Sequence, residues 1–295
     1  MTTMMTIMIT IINKITRQSM RTFACLVVVF LLFNFIPVYP QTDICASVYA
    51  AKTSTVPVRI SMYKNYKKAY KVLALINEER TKAGLNPVTM SKSLMKSAMT
   101  RAAESALYWD HTRPDGTDCF TVSDIVDGEN IGVGASSPEY IMKSFMESHG
   151  HKSNILDPDW VSVGIGCVVV DDTYYWSQLF SSLNCKPAKK SSYKNGHVVK
   201  TIKVKNTKKF FRPVHKIASK KLKVGKKTSI TSVWNNTYTL VNLDSKSLRY
   251  KSSNTKVCSI SKNGIIKAKK KGTAKVKVWF RGYKDTARTF TVKVR

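Results

Sequence analysis

His111, Glu129 and His151 are the residues of this 295-residue chain best suited to chemistry. Two imidazoles and a carboxylate can hold a divalent metal such as zinc with a coordination position left open, or can act as an acid and a base without metal. The gaps of 18 and 22 residues between them require the fold to bring them together. His111 sits in the turn-rich stretch Asp110-His111-Thr112-Arg113-Pro114-Asp115-Gly116, Glu129 in Gly128-Glu129-Asn130-Ile131, and His151 in Ser148-His149-Gly150-His151-Lys152. Taken singly, each has a plainer reading: a loop histidine bonded to backbone, or a glutamate closing a turn. The sequence offers no nucleophile elbow, no H-E-x-x-H and no Cys-His pair in a recognisable frame. Ser148 lies three residues from His151, but no third group is identifiable to orient the pair.

Helices and strands must supply the frame. Apolar positions Val72, Leu73, Leu75 and Ile76 predict a helix over 69–82, stopped by Gly84 and Pro87. Ser91 is placed to cap a second helix, whose buried stripe runs through Leu94, Met95, Ala98, Met99, Ala102 and Ala106 and which ends near Trp109. Ser137 and Pro138 open a third, ending near Ser148. The runs 161–170 and 173–180 then switch to β character around Asp171-Asp172, a hairpin. Helices followed by an antiparallel pair predict a layered α+β domain.

Charge divides the chain. Residues 51–185 hold 14 basic and 15 acidic residues, whereas 186–295 hold 32 and 2. That imbalance excludes one uniform globule and calls for an anionic partner. Arg21 before the apolar run 23–33, with Val48-Tyr49-Ala50 beyond it, predicts a secretory signal over 1–50, of which 1–19 would be a start-site extension. The expected localisation is extracellular and cell-surface associated. Export permits disulfides, and one bridge is expected among Cys119, Cys167 and Cys185, its pairing open.

The tail alternates. Residues 51–68 and 186–217 read as linkers, the second extended by like charge. From 218 onward β patterns return: Ala274, Val276 and Val278 alternate with lysines, and Asn263-Gly264 predicts a type I′ hairpin turn.

Six ordered motifs carry a resemblance: Asn77-Glu78-Glu79-Arg80, Arg101-Ala102-Ala103-Glu104, His111 to Gly116, Gly128 to Ile131, Gly150-His151-Lys152-Ser153-Asn154-Ile155-Leu156, and Tyr175-Trp176-Ser177-Gln178-Leu179-Phe180. Residues 69–185 resemble the bacterial branch of the CAP superfamily, the cysteine-rich secretory, antigen-five and pathogenesis-related proteins. The resemblance implies an α-β-α sandwich with a cleft lined by two histidines and acidic residues that in several members binds divalent metal. His111 and His151 match the histidines, and Glu129 matches the first glutamate. The second glutamate would fall at Ser148, with Glu147 next to it, so the set is incomplete. His149 stands where that branch usually has proline and is a candidate extra ligand. Peptidase activity has been proposed for some relatives and sterol or lipid binding for others, so an unknown small ligand, lipid or peptide in the cleft is expected, and the class stays open.

The region 218–295 resembles bacterial immunoglobulin-like domains of group two, through Leu222-Lys223-Val224-Gly225, Tyr250-Lys251-Ser252-Ser253-Asn254 and Gly272-Thr273-Ala274. This implies an all-β immunoglobulin-like sandwich without catalysis. For an exported chain the polyanion is expected to be a cell-wall polymer or a membrane surface, with no nucleic acid. Two functions remain: a surface-retained binding module, or a metal-assisted hydrolase.

Overall fold

The computed structural model describes residues 54–295; the signal segment expected at 1–50 lies outside them. Residues 54–205 build a six-stranded sheet around strands β1 (Thr55–Lys64), β2 (Thr89–Met90), β3 (Gly128–Val133), β4 (Ser162–Val170), β5 (Thr173–Ser181) and β6 (Gly196–Lys205). The order is β3-β5-β4-β1-β6, with β2 parallel to β4, so β3 is an edge strand.

Two of these strands correct the expected linkers. Residues 51–68 contain β1 and 186–217 contain β6, and the two pair antiparallel from Thr55 opposite Lys205 to Lys64 opposite Gly196. The cause is a period-two pattern: Val56, Val58, Ile60 and Met62 are buried along β1, and Ile202 and Val204 along β6. Lysines on the outer face of β6 give that strand the look of a charged spacer.

Four helices pack on the sheet. Helix α1 (Tyr66–Lys82) is capped by Asn65, α2 (Lys92–Ser105) by the Ser91 hydroxyl accepting from Leu94 N at 3.3 Å, and α3 (Pro138–Glu147) by Ser137 accepting from Tyr140 N at 3.0 Å. Each such cap contributes about 1 kcal/mol. Helix α4 (His149–Ile155) follows α3 across Ser148. Helix α2 lies directly on the backbone of β4: a Cβ at Gly164 would sit 2.1 Å from the Leu94 carbonyl carbon, and one at Gly166 2.2 Å from the Ala98 carbonyl oxygen. Gly132, level with Trp176 and Cys167, faces the other way, against Ile141 and Phe145 of α3. Helices therefore cover both faces. The β4–β5 hairpin turns on Asp171 and Asp172, with φ of 45° and 64°, as the type I′ geometry requires.

The remaining chain is all β. One sheet joins β7 (Pro213–Ile217), β9 (Lys227–Asn235), β10 (Leu240–Asn242), β12 (Cys258–Ile260) and β13 (Ile265–Ala268); the other joins β8 (Lys221–Leu222), β11 (Leu248–Ser252), β14 (Gly272–Phe280) and β15 (Tyr283–Val294). Trp234 and Phe280 meet between them, ring centres 6.5 Å apart. The turn between β12 and β13 differs from the expected type I′: only Gly264, at φ +77°, is left-handed, and Ser261 N bonds Ile265 O. Asn263 keeps an ordinary φ, so the loop is of the type I kind with a left-handed glycine behind it.

The β region does not hang from a spacer. Trp234 Nε1 donates to Leu107 O at 2.8 Å, and Asn236 Nδ2 donates to Ser105 O and Ala106 O at 2.8 and 2.9 Å, satisfying carbonyls at the end of α2. Arg59 of β1 pairs with Asp244 at 3.2 Å.

The expected disulfide is also corrected, since Cys119, Cys167, Cys185 and Cys258 are all free. Cys185 N bonds the Ser162 hydroxyl at the start of β4. Cys167 is five residues further along that strand, about 16 Å away at strand rise, where a bridge needs Cα atoms within about 7 Å. Cys119 lies in a 3-10 turn, residues Cys119–Val122, beside Glu129.

One buried titratable group gives a pH signature. His215 Nδ1 shares a 2.7 Å bond with the Ser232 hydroxyl while its Nε2 is buried without a partner, and burial, with Arg288 nearby, pushes the pKa down to about 4. The unfolded chain then binds the extra proton first. Stability is full above about pH 6.5 and falls towards pH 4, by roughly 3 kcal/mol for a shift of that size. Urea midpoints across that window should slope for the native protein and flatten in His215→Phe; parallel slopes would contradict the assignment.

Candidate functional site

The site forms where the edge strand β3 meets α2, the loop after it, and α4. Because strand side chains alternate, β3 turns Glu129 towards α2 and Asn130 towards α4. Arg101 and Glu104, one helical turn apart, stand on the buried side of α2, and Arg101 is fully buried. Its Nε donates to Glu129 Oε2 at 2.7 Å, its Nη2 to Glu129 Oε1 at 3.1 Å, and its Nη1 to Glu104 Oε2 at 3.0 Å. Arg113 closes the other side of Glu104, with Nη2 to Oε1 at 2.7 Å and Nε to Oε2 at 3.0 Å. Arg101 Nη2 also donates to Asp110 O at 3.1 Å, which anchors the loop carrying His111.

His111 Nδ1 lies 2.8 Å from Glu129 Oε1, while the imidazole is 59% exposed and Glu129 only 1%. The carboxylate thus fixes the ring and leaves Nε2 as its free nitrogen. Burial alone would raise the Glu129 carboxyl, but the hydrogen bonds from His111 and Arg101 together hold it below its ordinary value. The same bond raises the pKa of His111.

His151 lies at the start of α4 with its ring tilted on Phe145, centroids 4.9 Å apart. Burial lowers its pKa, and the charge of His111 lowers it further. An amide network fixes α4 to β3: Asn130 Nδ2 donates to His151 O at 3.1 Å and to Gln178 Oε1 at 2.9 Å, and Asn154 Nδ2 donates to Glu129 O and Asn130 Oδ1. Two neighbouring residues of β3 therefore position the two histidines from opposite faces.

The other expected residues divide. Ser148 ends α3 and precedes α4 without a side-chain capping bond, His149 is exposed, and Glu147 is exposed and 3.8 Å from Lys143. Cys119 joins instead: its sulfur lies within 4.8 Å of the ligand atoms of His111 and Glu129. Burial, with the Glu129 and Asp118 carboxylates, pushes that thiol up to about 12 and keeps it protonated. Both oxygens of Glu129 already accept strong bonds. Among the described residues, the groups gathered closely enough to hold a metal ion are His111, Cys119 and Glu129, and His151 is not one of them; Glu129, with both oxygens engaged, is placed as a carboxylate that orients His111. Sequence reasoning missed Arg101, Asn130, Asn154 and Gln178 as site residues; the available signal was an Arg-x-x-Glu pair on an otherwise apolar helix stripe.

Residues 73–180 match the family model of the CAP, cysteine-rich secretory protein family. The chain is 36% identical over 139 residues to the uncharacterized protein YkwD of Bacillus subtilis, a stretch that covers 44% of this chain and 52% of that protein, so the chain spans about half the length of the curated relative it matches. Among solved structures, an extracellular protein containing an SCP domain from Bacillus anthracis is 21% identical, with 38% of this chain and 40% of that one covered and a TM-score of 0.34. An outer surface protein of Borrelia burgdorferi is 19% identical, with 40% and 96% covered and a TM-score of 0.34. No helix of the described residues is long and apolar enough to cross a membrane.

Proposed function

We propose, with residues 73–180 as a CAP-family domain, that the protein is an exported binding protein of the cell envelope. Its cleft takes a divalent metal or small ligand at His111 and His151, and its basic β region, an immunoglobulin-like sandwich, retains it on anionic wall polymers. The observation that carries the cleft assignment is the buried Glu129 carboxylate held 2.8 Å from His111 Nδ1, which leaves one imidazole nitrogen for a ligand. A bound divalent ion would supply a Lewis acid to a ligand oxygen or water. The chain's own residues do the rest: Arg101 fixes Glu129, Glu129 fixes His111, and Asn130 fixes the backbone of His151. Removing such an orienting carboxylate typically costs 10- to 100-fold in metal affinity. Zinc titration calorimetry on the whole protein should therefore show Glu129→Gln weakened by about that factor and His111→Ala, His151→Ala abolished. Equal binding by all three would remove the cleft assignment.

Retention is supported by the 32 basic and 2 acidic residues of 186–295. Binding of the whole protein to purified walls should be strong at low salt and fall steeply as salt shortens the screening length from about 30 Å at 0.01 M to 3 Å at 1 M. Salt-independent binding would contradict it.

The second reading is a metal-assisted hydrolase of envelope or host peptides: an ion held in the cleft would polarise a water or a carbonyl oxygen, and the 59% exposed His111 ring beside buried Glu129 leaves that position open to a substrate. Turnover of wall peptide fragments, lost in His151→Ala with the fold intact, would establish it; no turnover with zinc-loaded protein would leave the binding reading alone.

A further inference from the structure

A second site lies on the face of the CAP-family domain where the corrected linkers fold back. A pocket of about 390 Å³ opens between the end of β1, the start of α2 and the segment after β5. Met95, Met99 and Tyr66 line it, and Lys64, Lys92, Lys96 and Lys186 ring it. Beside it is a second pocket of about 350 Å³ with Lys67, Lys190 and Lys194 at its margin. The two share a wall, the rings of Tyr66 and Tyr193, whose centroids lie 5.1 Å apart.

No carboxylate lines either pocket, and among the described residues none of these seven lysines pairs with one. The crowding is felt next door. Lys200 of β6 bonds Thr100 at 3.1 Å, and burial, then the charges of Lys64 and Lys96, lower its pKa. Lysines gathered on three separate chain segments around concave, half-apolar walls repel one another unless anionic groups come between them.

We propose that this double pocket is a groove for a polyol-phosphate chain, successive phosphates lying on either side of the tyrosine pair. Two joined pockets with ammonium groups on both sides suit a linear polyanion better than a single ion. Single-stranded nucleic acid needs free aromatic faces for its bases; here Tyr66 and Tyr193 face each other and the Tyr70 hydroxyl is tied to Ala188 O at 3.0 Å. A membrane surface would meet a convex patch more readily than this recess. The inference rests on the envelope reading only for the source of the polymer, and moves its main contact from the tail to the CAP-family domain.

The test compares two charge-matched triple variants of the whole protein, Lys92→Gln/Lys96→Gln/Lys186→Gln in the groove and Lys267→Gln/Lys275→Gln/Lys277→Gln on the tail. The probe is a poly(glycerol phosphate) oligomer at low salt. At about a factor of five per basic contact, the groove variant should bind roughly a hundredfold more weakly, and the tail variant within about fivefold of the native protein. Equal losses would overturn the groove in favour of diffuse charge. Loss in the tail variant alone would overturn the groove and leave envelope retention standing; no binding by native protein would end both. Tighter binding to phosphatidylglycerol vesicles or to oligo-dT than to the oligomer would overturn the choice of polymer.

Discussion

Replacing Arg101 with methionine lowers the unfolding free energy by about 3–5 kcal/mol, the range expected when one partner of a buried ion pair is removed. Arg101 is fully buried and is the principal cation for Glu129 and one of two for Glu104. Methionine fills much of the volume but supplies no donor, so two carboxylates stay in the interior with His111 and Arg113 as their remaining partners. The cost should come from stranded charge rather than lost volume. Adding Glu129→Gln to Arg101→Met should then recover part of the loss, because a neutral amide is less costly to bury than an unpaired carboxylate. Urea unfolding at pH 7 reads both effects. A loss below about 1 kcal/mol, typical of a solvated surface pair, would show that the cluster is wetter than its burial implies.

Trp234→Ala carries a comparable penalty, about 3–5 kcal/mol for the cavity, with Leu107 O left without its donor at a further cost of about 1–3 kcal/mol. Trp234 touches both parts of the molecule: its ring packs on Phe211 and Phe280 inside the β region, and its Nε1 closes the end of α2. The native protein should therefore melt in one calorimetric transition. In the variant the transition should split, as the β region loosens from the sheet and helices before them. A single, equally sharp transition at nearly unchanged temperature would contradict the shared core.

Much of this was legible. The N-caps Ser91 and Ser137 and the Asp171-Asp172 turn declare themselves through local chemistry, since a hydroxyl before a helix or two aspartates between β runs have few other uses. His111 and Glu129 stood out as candidates because ionisable residues in turns and glycine-flanked strands invite a role, and they do meet. The rest depended on partners distant in sequence. Strands β1 and β6 are 141 residues apart by their first residues, Thr55 and Gly196, and neither alone has a hydrophobic face broad enough to outweigh its charges or its neighbours. Arg101, polar on an otherwise apolar helix stripe, has no evident partner until Glu129, 28 positions away, is placed against it. The disulfide expectation followed from compartment and count, and strand β4 then keeps Cys167 away from Cys185. Ser148 and Glu147, beside the position where the second cleft glutamate is missing, lie where the chain passes from α3 into α4.

The most direct test of the site is cobalt(II) titration of the whole protein followed by absorption, because cobalt reports its ligands through d–d bands and a thiolate adds an intense near-ultraviolet band. The account predicts a stoichiometric d–d spectrum without the thiolate band, lost in His111→Ala and in His151→Ala and unchanged in Cys119→Ser. A thiolate band that disappears in Cys119→Ser, or a spectrum indifferent to both histidines, would contradict it.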